Sequence, residues 1–113
     1  MLTDVTTKRS IMKIKHCRSI FSKAFGVMFR RSMDRAYVFH FQREGIIPLH
    51  MFFVFFPIDI IFLDSEQKVV EVVHGLKSWR MYMPKKKAKY VIELPAGTVK
   101  ERGISVGHTL KFQ

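Results

Sequence analysis

The sequence predicts an α+β fold, dominated by a mostly antiparallel β-sheet with two short helices. Six or seven segments are rich in β-branched and aromatic residues, and turn-forming residues separate them. Only two short segments have the start and stop signals of a helix. A chain of 113 residues fits one domain. We expect a flexible N-terminal tail over residues 1–11, followed by a single globular domain over residues 12–113.

The first elements are predicted from alternation and from a helix boundary signal. Apolar and basic residues alternate over residues 12–17, which predicts a strand. Ser19 is a good N-cap residue, and Gly26 suits the left-handed position that follows a helix, so a short helix is predicted between them. Residues 36–41 are aromatic and β-branched and predict the next strand.

The most apolar segment, residues 46–63, is predicted to form buried strands and not a membrane span. Two prolines interrupt it, and His50 and Asp59 place polar groups within it. A spanning helix needs about 20 unbroken apolar residues, and an aspartate at the bilayer centre costs ~2.5–3.5 kcal/mol. The expected strands cover residues 49–55 and 58–63.

The two-residue period of a strand assigns faces in the second of these strands. Ile58, Ile60 and Phe62 should share one face. Asp59 should lie on the opposite face, together with Ile61 and Leu63.

The C-terminal half continues as strands joined by turns. Residues 64–67 predict a hairpin loop, and residues 68–74 should return as the partner strand. A further strand is expected over residues 88–94, with alternate positions facing inward and outward. The inward set is Tyr90, Ile92 and Leu94, and the outward set is Lys89 and Glu93.

A second short helix is predicted near the C-terminus. Thr98 and Glu101 have the spacing of a capping box, in which each side chain bonds the backbone amide of the other residue. Gly103 should end this helix after about one turn, and residues 109–112 predict a last strand.

The charge balance suggests an anionic partner. Lysine and arginine total 20 residues against nine acidic ones, which gives a net charge of +11. Cations and aromatic residues mix between Trp79 and Lys89, a combination that suits phosphates and stacked bases. Weak, non-specific binding of nucleic acid or another polyanion is one interpretation, and a solvated basic loop that keeps the protein soluble is the other. The candidate anion-binding residues are Arg80, Lys85, Lys86, Lys87 and Lys89.

Asp59 and His50 are the candidate catalytic residues. A carboxyl group among apolar neighbours can have a raised pKa and act as an acid or a base. The alternative is a structural carboxylate that bonds neighbouring backbone amides or pairs with an arginine such as Arg30.

No cofactor and no metal are expected. The five histidines lack the spacing of a helical metal site, and the single Cys17 excludes an internal disulfide. We expect isolated histidines and a buried, inert thiol. Phosphate-binding loops of the Walker or dinucleotide type and the serine nucleophile elbow are missing from the sequence. The N-terminus has no segment typical of a signal peptide, so a cytoplasmic location is expected.

Three blocks of the sequence resemble, in order, the signatures of the domain-of-unknown-function family 192 (UPF0127), a set of small uncharacterised prokaryotic proteins. Residues 26–31 resemble its GLMFR signature, residues 50–64 its M…PLDilFlD segment, and residues 90–107 its yvlElpaG…gi..Gd tail. The resemblance implies a compact, β-rich fold whose sheet is strongly curved or forms a partly open barrel. It implies no mechanism, because the family has no established activity. It marks as structural motif residues Gly26, Arg30, Asp59, Glu93 and Gly97.

Two departures from the family pattern bear on function. Many members have Lys-Asn-Thr after the methionine of the second block, where this chain has Phe52, Phe53 and Val54. Asp often follows the last glycine, where this chain has His108. Any polar site that the family builds at the first position is therefore absent here. The function we expect is a small cytoplasmic binding module, with an acid–base or hydrolytic enzyme using Asp59 and His50 as the alternative.

Overall fold

The structure, a computed structural model, describes residues 1–17, 33–51 and 54–112. Within these residues there are ten strands and one short helix, so the fold is mainly β. The elements are β1 Leu2–Asp4, β2 Arg9–Met12, β3 Ile14–Cys17, β4 Ala36–Gly45, β5 Leu49–His50, β6 Ile58–Leu63, β7 Val69–Leu76, β8 Met81–Tyr82, β9 Ala88–Pro95, α1 Thr98–Arg102 and β10 Leu110–Phe112.

A five-stranded sheet in the order β3-β4-β9-β6-β7 forms the centre of the molecule. Its neighbouring strands run antiparallel, except that β3 and β4 are parallel. β6 is buried along its whole length, which explains why its sequence is apolar on both faces. Ile61 and Leu63 belong to one core cluster and Ile58, Ile60 and Phe62 to the other, as the strand period predicts.

A three-stranded sheet, β10-β1-β2, contributes to one of these cores. Leu2 and Ile11 are buried in the same cluster as Ile61. The buried Asp4 accepts a hydrogen bond from Nδ1 of His108 at 2.9 Å and bonds the amides of the two threonines that follow it in the turn. The sequence predicts a flexible tail over residues 1–11, ahead of the first strand. These residues contain β1 and most of β2, so the expectation that they lie outside the sheets was wrong.

A two-stranded ribbon, β5-β8, forms a third sheet, and its Leu49 and Tyr82 pack against the core cluster that contains Phe62. Of the described residues within the strand predicted over residues 49–55, only Leu49–His50 pairs, with Met81–Tyr82. Met51 and Val54 are both buried, three positions apart, so the two-residue period does not continue past the ribbon.

The fold class is thus confirmed in outline and corrected in detail. The described strands form three separate sheets and do not close into a barrel. The helix predicted between Ser19 and Gly26 lies outside the described residues. In the part of the chain that the structure describes, no helix has the length and apolarity needed to cross a bilayer.

The short helix α1 is present, but the predicted capping box is not. Gly97 occupies the N-cap position at φ 92°, where a left-handed residue is needed, and no side chain of the helix caps its start. Thr98 is already helical, and its hydroxyl donates a 2.7 Å hydrogen bond to the carbonyl of Pro95. Glu101 is exposed. The carboxylate of Asp59 on β6 replaces the predicted box, because it accepts a backbone amide in the first turn of the helix.

Candidate functional site

Asp59 is a buried anchor that joins three parts of the fold. It lies on β6, is 1% exposed, and its Oδ1 accepts the amide of Gly75 at 2.8 Å. Its Oδ2 accepts the amide of Val99 in the first turn of α1 at 3.0 Å. A buried, hydrogen-bonded Asp59 is what its apolar neighbours predict. The arginine suggested as its partner, Arg30, lies outside the described residues.

The positions of Asp59 and His50 give no support to acid–base catalysis by this pair. Both carboxylate oxygens of Asp59 bond backbone amides, and the side chain is shielded from solvent. His50 is exposed and belongs to a different sheet, the β5-β8 ribbon. A general acid or base must come within hydrogen-bond reach of a substrate atom, and a carboxylate held in this way does not.

Glu93 is the carboxyl group whose ionisation the fold changes most. It lies on the central strand β9, between Tyr37 of β4 and Ile60 of β6, both of them buried. Burial raises the pKa of Glu93 to about 7. The sequence prediction that Glu93 points outward needs correction: its side chain lies on the face of β9 that the core cluster containing Ile60 partly covers, so it is only partly exposed.

The exposed apolar side chains of the molecule are concentrated on one region. Five of the eight large apolar residues that are exposed in the described part of the chain lie on β5, β8 or the segments beside them. Phe55 is 56% and Trp79 52% exposed, and their ring centroids are 6.3 Å apart in an edge-to-face arrangement. Large apolar side chains in water are expected where a partner binds. The five are Ile46, Phe55, Trp79, Met81 and Met83.

Cations are interleaved with these apolar residues. Arg80, Lys85, Lys86 and Lys87 are all exposed in the same stretch of chain. The four cations and the five apolar residues together are called the ribbon surface below. Lys89, the fifth predicted anion-binding residue, is partly buried, and its Nζ lies 5.8 Å from the centroid of the Tyr90 ring. It is therefore set apart from the other four.

Glu71 of β7 holds the lysine-rich connection in place. Its Oε1 accepts the amides of Lys85 and Lys86 at 2.9 and 3.0 Å, and its Oε2 accepts the hydroxyl of Tyr82. The hydrogen bond to Glu71, together with burial, raises the pKa of Tyr82 to about 12. The basic segment is thus a fixed part of the fold. Sequence reasoning missed this role of Glu71, because it depends on pairing between distant strands.

The opposite end of the ribbon surface is fixed by the backbone. The amide of Met51 donates to the carbonyl of Arg80 at 2.7 Å, and the amide of Trp79 donates to the carbonyl of Met51 at 2.8 Å. Trp79 itself has a positive φ of 64°, which turns the chain into β8. The segment from Trp79 to Lys86 is therefore anchored at both ends.

Two histidines that the sequence analysis treated as isolated are in contact. Nδ1 of His16 lies 2.7 Å from Nε2 of His40, and the rings of Tyr90 and Phe112 pack around them. The parallel pairing of β3 and β4 brings them together from 24 residues apart, and no local spacing indicates it. Among the described residues no three histidine, cysteine or acidic side chains converge on a point where they could hold a metal ion. Cys17 is buried, as predicted.

Comparisons with known proteins agree with this architecture. The model of the family DUF192, described as "Uncharacterized ACR", matches residues 2–112. A UPF0127 protein of Pyrococcus abyssi is 39% identical over 101 residues, which are 88% of this chain and 86% of that protein. A crystal structure from Sinorhizobium meliloti superposes with a TM-score of 0.87 at 24% identity, covering 97% of this chain and 88% of its own. One from Novosphingobium aromaticivorans gives 0.89 at 20% identity, covering 98% and 83%. Likenesses at this identity establish the fold alone.

Proposed function

We propose that this chain, which belongs to the domain-of-unknown-function family 192, is a binding module for nucleic acid. Membership of the family establishes the fold but assigns no activity, so the support for this function comes from the surface of the molecule. The proposed binding site is the ribbon surface. The observation that supports it is the interleaving there of exposed apolar side chains with four exposed cations. Lysine and arginine neutralise phosphates, and apolar and aromatic side chains contact sugars and bases.

The whole-molecule charge favours the same class of partner. A net charge of +11 attracts a polyanion from a distance and speeds encounter with it. The anchoring of Lys85 and Lys86 by Glu71 supports the proposal further, because less backbone order has to be gained on binding. Phosphate contacts carry no direct sequence information, so binding through these lysines should be non-specific.

The enzyme alternative has weaker support. It requires Asp59 to reach a substrate, and Asp59 is instead engaged by the amides of Gly75 and Val99. The two interpretations predict different effects of replacing Lys85, Lys86 and Lys87. The replacement should weaken nucleic-acid binding, but it should not affect chemistry at Asp59.

The test is fluorescence anisotropy of a labelled oligonucleotide over a salt series. Replacing Lys85, Lys86 and Lys87 with alanine should flatten the slope of log K against log salt. The expected change for each phosphate that these lysines neutralise in the parent is about 0.9 on a duplex and about 0.7 on a single strand. The backbone bonds to Glu71 do not depend on these side chains, so the fold should be kept.

The matched control replaces three exposed lysines of other elements, Lys13, Lys100 and Lys111, with alanine. It removes the same charge and should leave the slope closer to that of the parent. If the two triple variants have equal slopes, the attraction belongs to the overall charge and the ribbon surface is not the site. Absence of binding at low salt would overturn the proposal altogether.

A further inference from the structure

We infer that the ribbon surface takes single-stranded nucleic acid in preference to duplex, with bases stacked on Trp79 and Phe55. This inference rests on the proposed function and names its ligand more closely. A duplex hides the faces of its bases in the stack, whereas a single strand offers them to aromatic side chains. A protein that used only phosphate contacts would not need exposed rings beside its lysines.

The two rings are placed as a stacking platform. Each is about half exposed, with Phe55 at 56% and Trp79 at 52%, and their planes meet at 69°. The edge-to-face contact orients the two rings relative to each other, and the exposed half of each ring is where a base would stack. The backbone bonds between Trp79 and Met51 hold the platform at one end of the ribbon surface.

Charge complementarity decides the class of occupant. Arg80 follows Trp79 directly, and Lys85, Lys86 and Lys87 lie at the other end of the same segment. A strand with bases on the rings would therefore have cations at both ends of the segment available to its phosphates. A lipid surface also attracts cations and aromatic residues, but its headgroups offer no flat bases that could stack on the two rings.

The length of the segment sets the expected site size. The stretch from Trp79 to Lys85 spans at most about 20 Å when extended. At about 3.4 Å for each nucleotide of a strand, this corresponds to roughly six nucleotides. Affinity should therefore rise steeply up to about this length and only slowly beyond it.

Trp79 is the only tryptophan in the chain, so its intrinsic fluorescence reports directly on the platform. The experiment titrates the full chain at low salt with oligothymidylates of about four, eight and twelve nucleotides. A duplex of equal charge and polyphosphate, a polyanion without bases, are titrated in parallel. We expect quenching by the single strands, a gain in affinity between the two shorter ones, and no quenching by polyphosphate.

Two variants locate the stacking. Trp79→Leu should weaken single-strand binding roughly 5- to 150-fold, the range typical of one stacked base, and leave polyphosphate binding unchanged. Phe55→Leu keeps Trp79 as the fluorescent reporter. If circular dichroism shows that Trp79→Leu does not fold, Phe55→Leu tests by itself whether bases stack on the two rings, and it should also weaken single-strand binding. The control is Val106→Ala, at an apolar residue 61% exposed outside the ribbon surface, which should have no effect.

The outcomes separate this inference from the proposed function. If duplex and polyphosphate bind as tightly as single strands and the ring variants bind normally, the inference is wrong while nucleic-acid binding through lysines stands. If no polyanion binds, both are wrong. Quenching or a blue shift of Trp79 fluorescence only with vesicles of anionic lipid would overturn the inference in favour of a membrane surface.

Discussion

Two aspartates at the two ends of one strand make the same bonds in different surroundings. Asp59, near the start of β6, accepts amides at 2.8 and 3.0 Å from residues 16 and 40 positions away. Asp64, just after β6, accepts amides at 2.9 and 3.0 Å from residues two and four positions away. Asp59 is 1% exposed, whereas Asp64 is partly exposed in the hairpin turn.

The difference lies in what can replace the carboxylate. Around Asp64, water can reach the amides of Glu66 and Lys68 if the side chain is removed. Around Asp59, the buried amide of Val99 and the partly buried amide of Gly75 would lose their acceptor. A buried unsatisfied donor carries the full desolvation cost of that group, whereas an exposed one does not. Burial, and not the number of hydrogen bonds, should therefore decide which aspartate stabilises the fold more.

The largest expected effect comes from comparing alanine at these two positions. Asp59→Ala should lower the free energy of unfolding by roughly 2–4 kcal/mol, since one buried and one partly buried amide lose their partner. Asp64→Ala should cost about 1 kcal/mol or less. Both are measured by urea denaturation at pH 7. Equal losses at the two positions would mean that water reaches the amides around Asp59, and the structural role would have to be abandoned.

This pair of residues also shows what the sequence can reveal. The bonds of Asp64 lie within five residues, and the local pattern correctly predicts the hairpin. The burial of Asp59 is also predictable from its apolar neighbours. Its partners are not, because they depend on how β7 and α1 are placed against β6. A local pattern cannot specify a partner 40 residues away.

The other missed features have the same cause. β1 and β2 are only three and four residues long, too short for alternation to stand out, and β1 is fixed by pairing with β10 at the far end of the chain. The contact of His16 with His40 and the bonds from Glu71 to the lysine segment likewise require paired strands. Of the candidate binding residues, the sequence indicates the cations and Trp79, but not their anchoring.

Glu93 extends the comparison to a carboxyl group whose pKa is set by burial. Asp59 accepts two backbone amides, whereas at Glu93 burial alone raises the pKa from 4.5 to about 7. A carboxyl group with a raised pKa in the folded state stabilises the fold below pH 4.5, and this contribution is lost as the pH rises through about 7. The fold should therefore lose stability between these two values.

Glu93→Gln should remove this part of the pH dependence. Between about pH 5 and 8 the variant should gain roughly 1–3 kcal/mol relative to the parent, toward the lower end because Glu93 is partly exposed. Urea denaturation at four pH values measures the gain. Glu101→Gln, at an exposed glutamate, is the matched control and should follow the parent. Parallel curves for parent and Glu93→Gln would show that Glu93 ionises normally in the folded protein.

The smallest effect tests how α1 begins. The sequence predicts that Thr98 and Glu101 cap the helix together, whereas in the structure Asp59 bonds the amide of Val99 from another strand and the Thr98 hydroxyl bonds Pro95. Thr98→Val keeps the side-chain shape but removes this hydrogen bond, so it should cost about 0.5–1.5 kcal/mol. Glu101→Gln should change stability by no more than about 0.5 kcal/mol. A capping box would instead make the two variants lose similar amounts, and a double variant would then lose less than their sum. Additive costs with nearly all of the loss at Thr98 would confirm that the start of this helix is set by the tertiary fold.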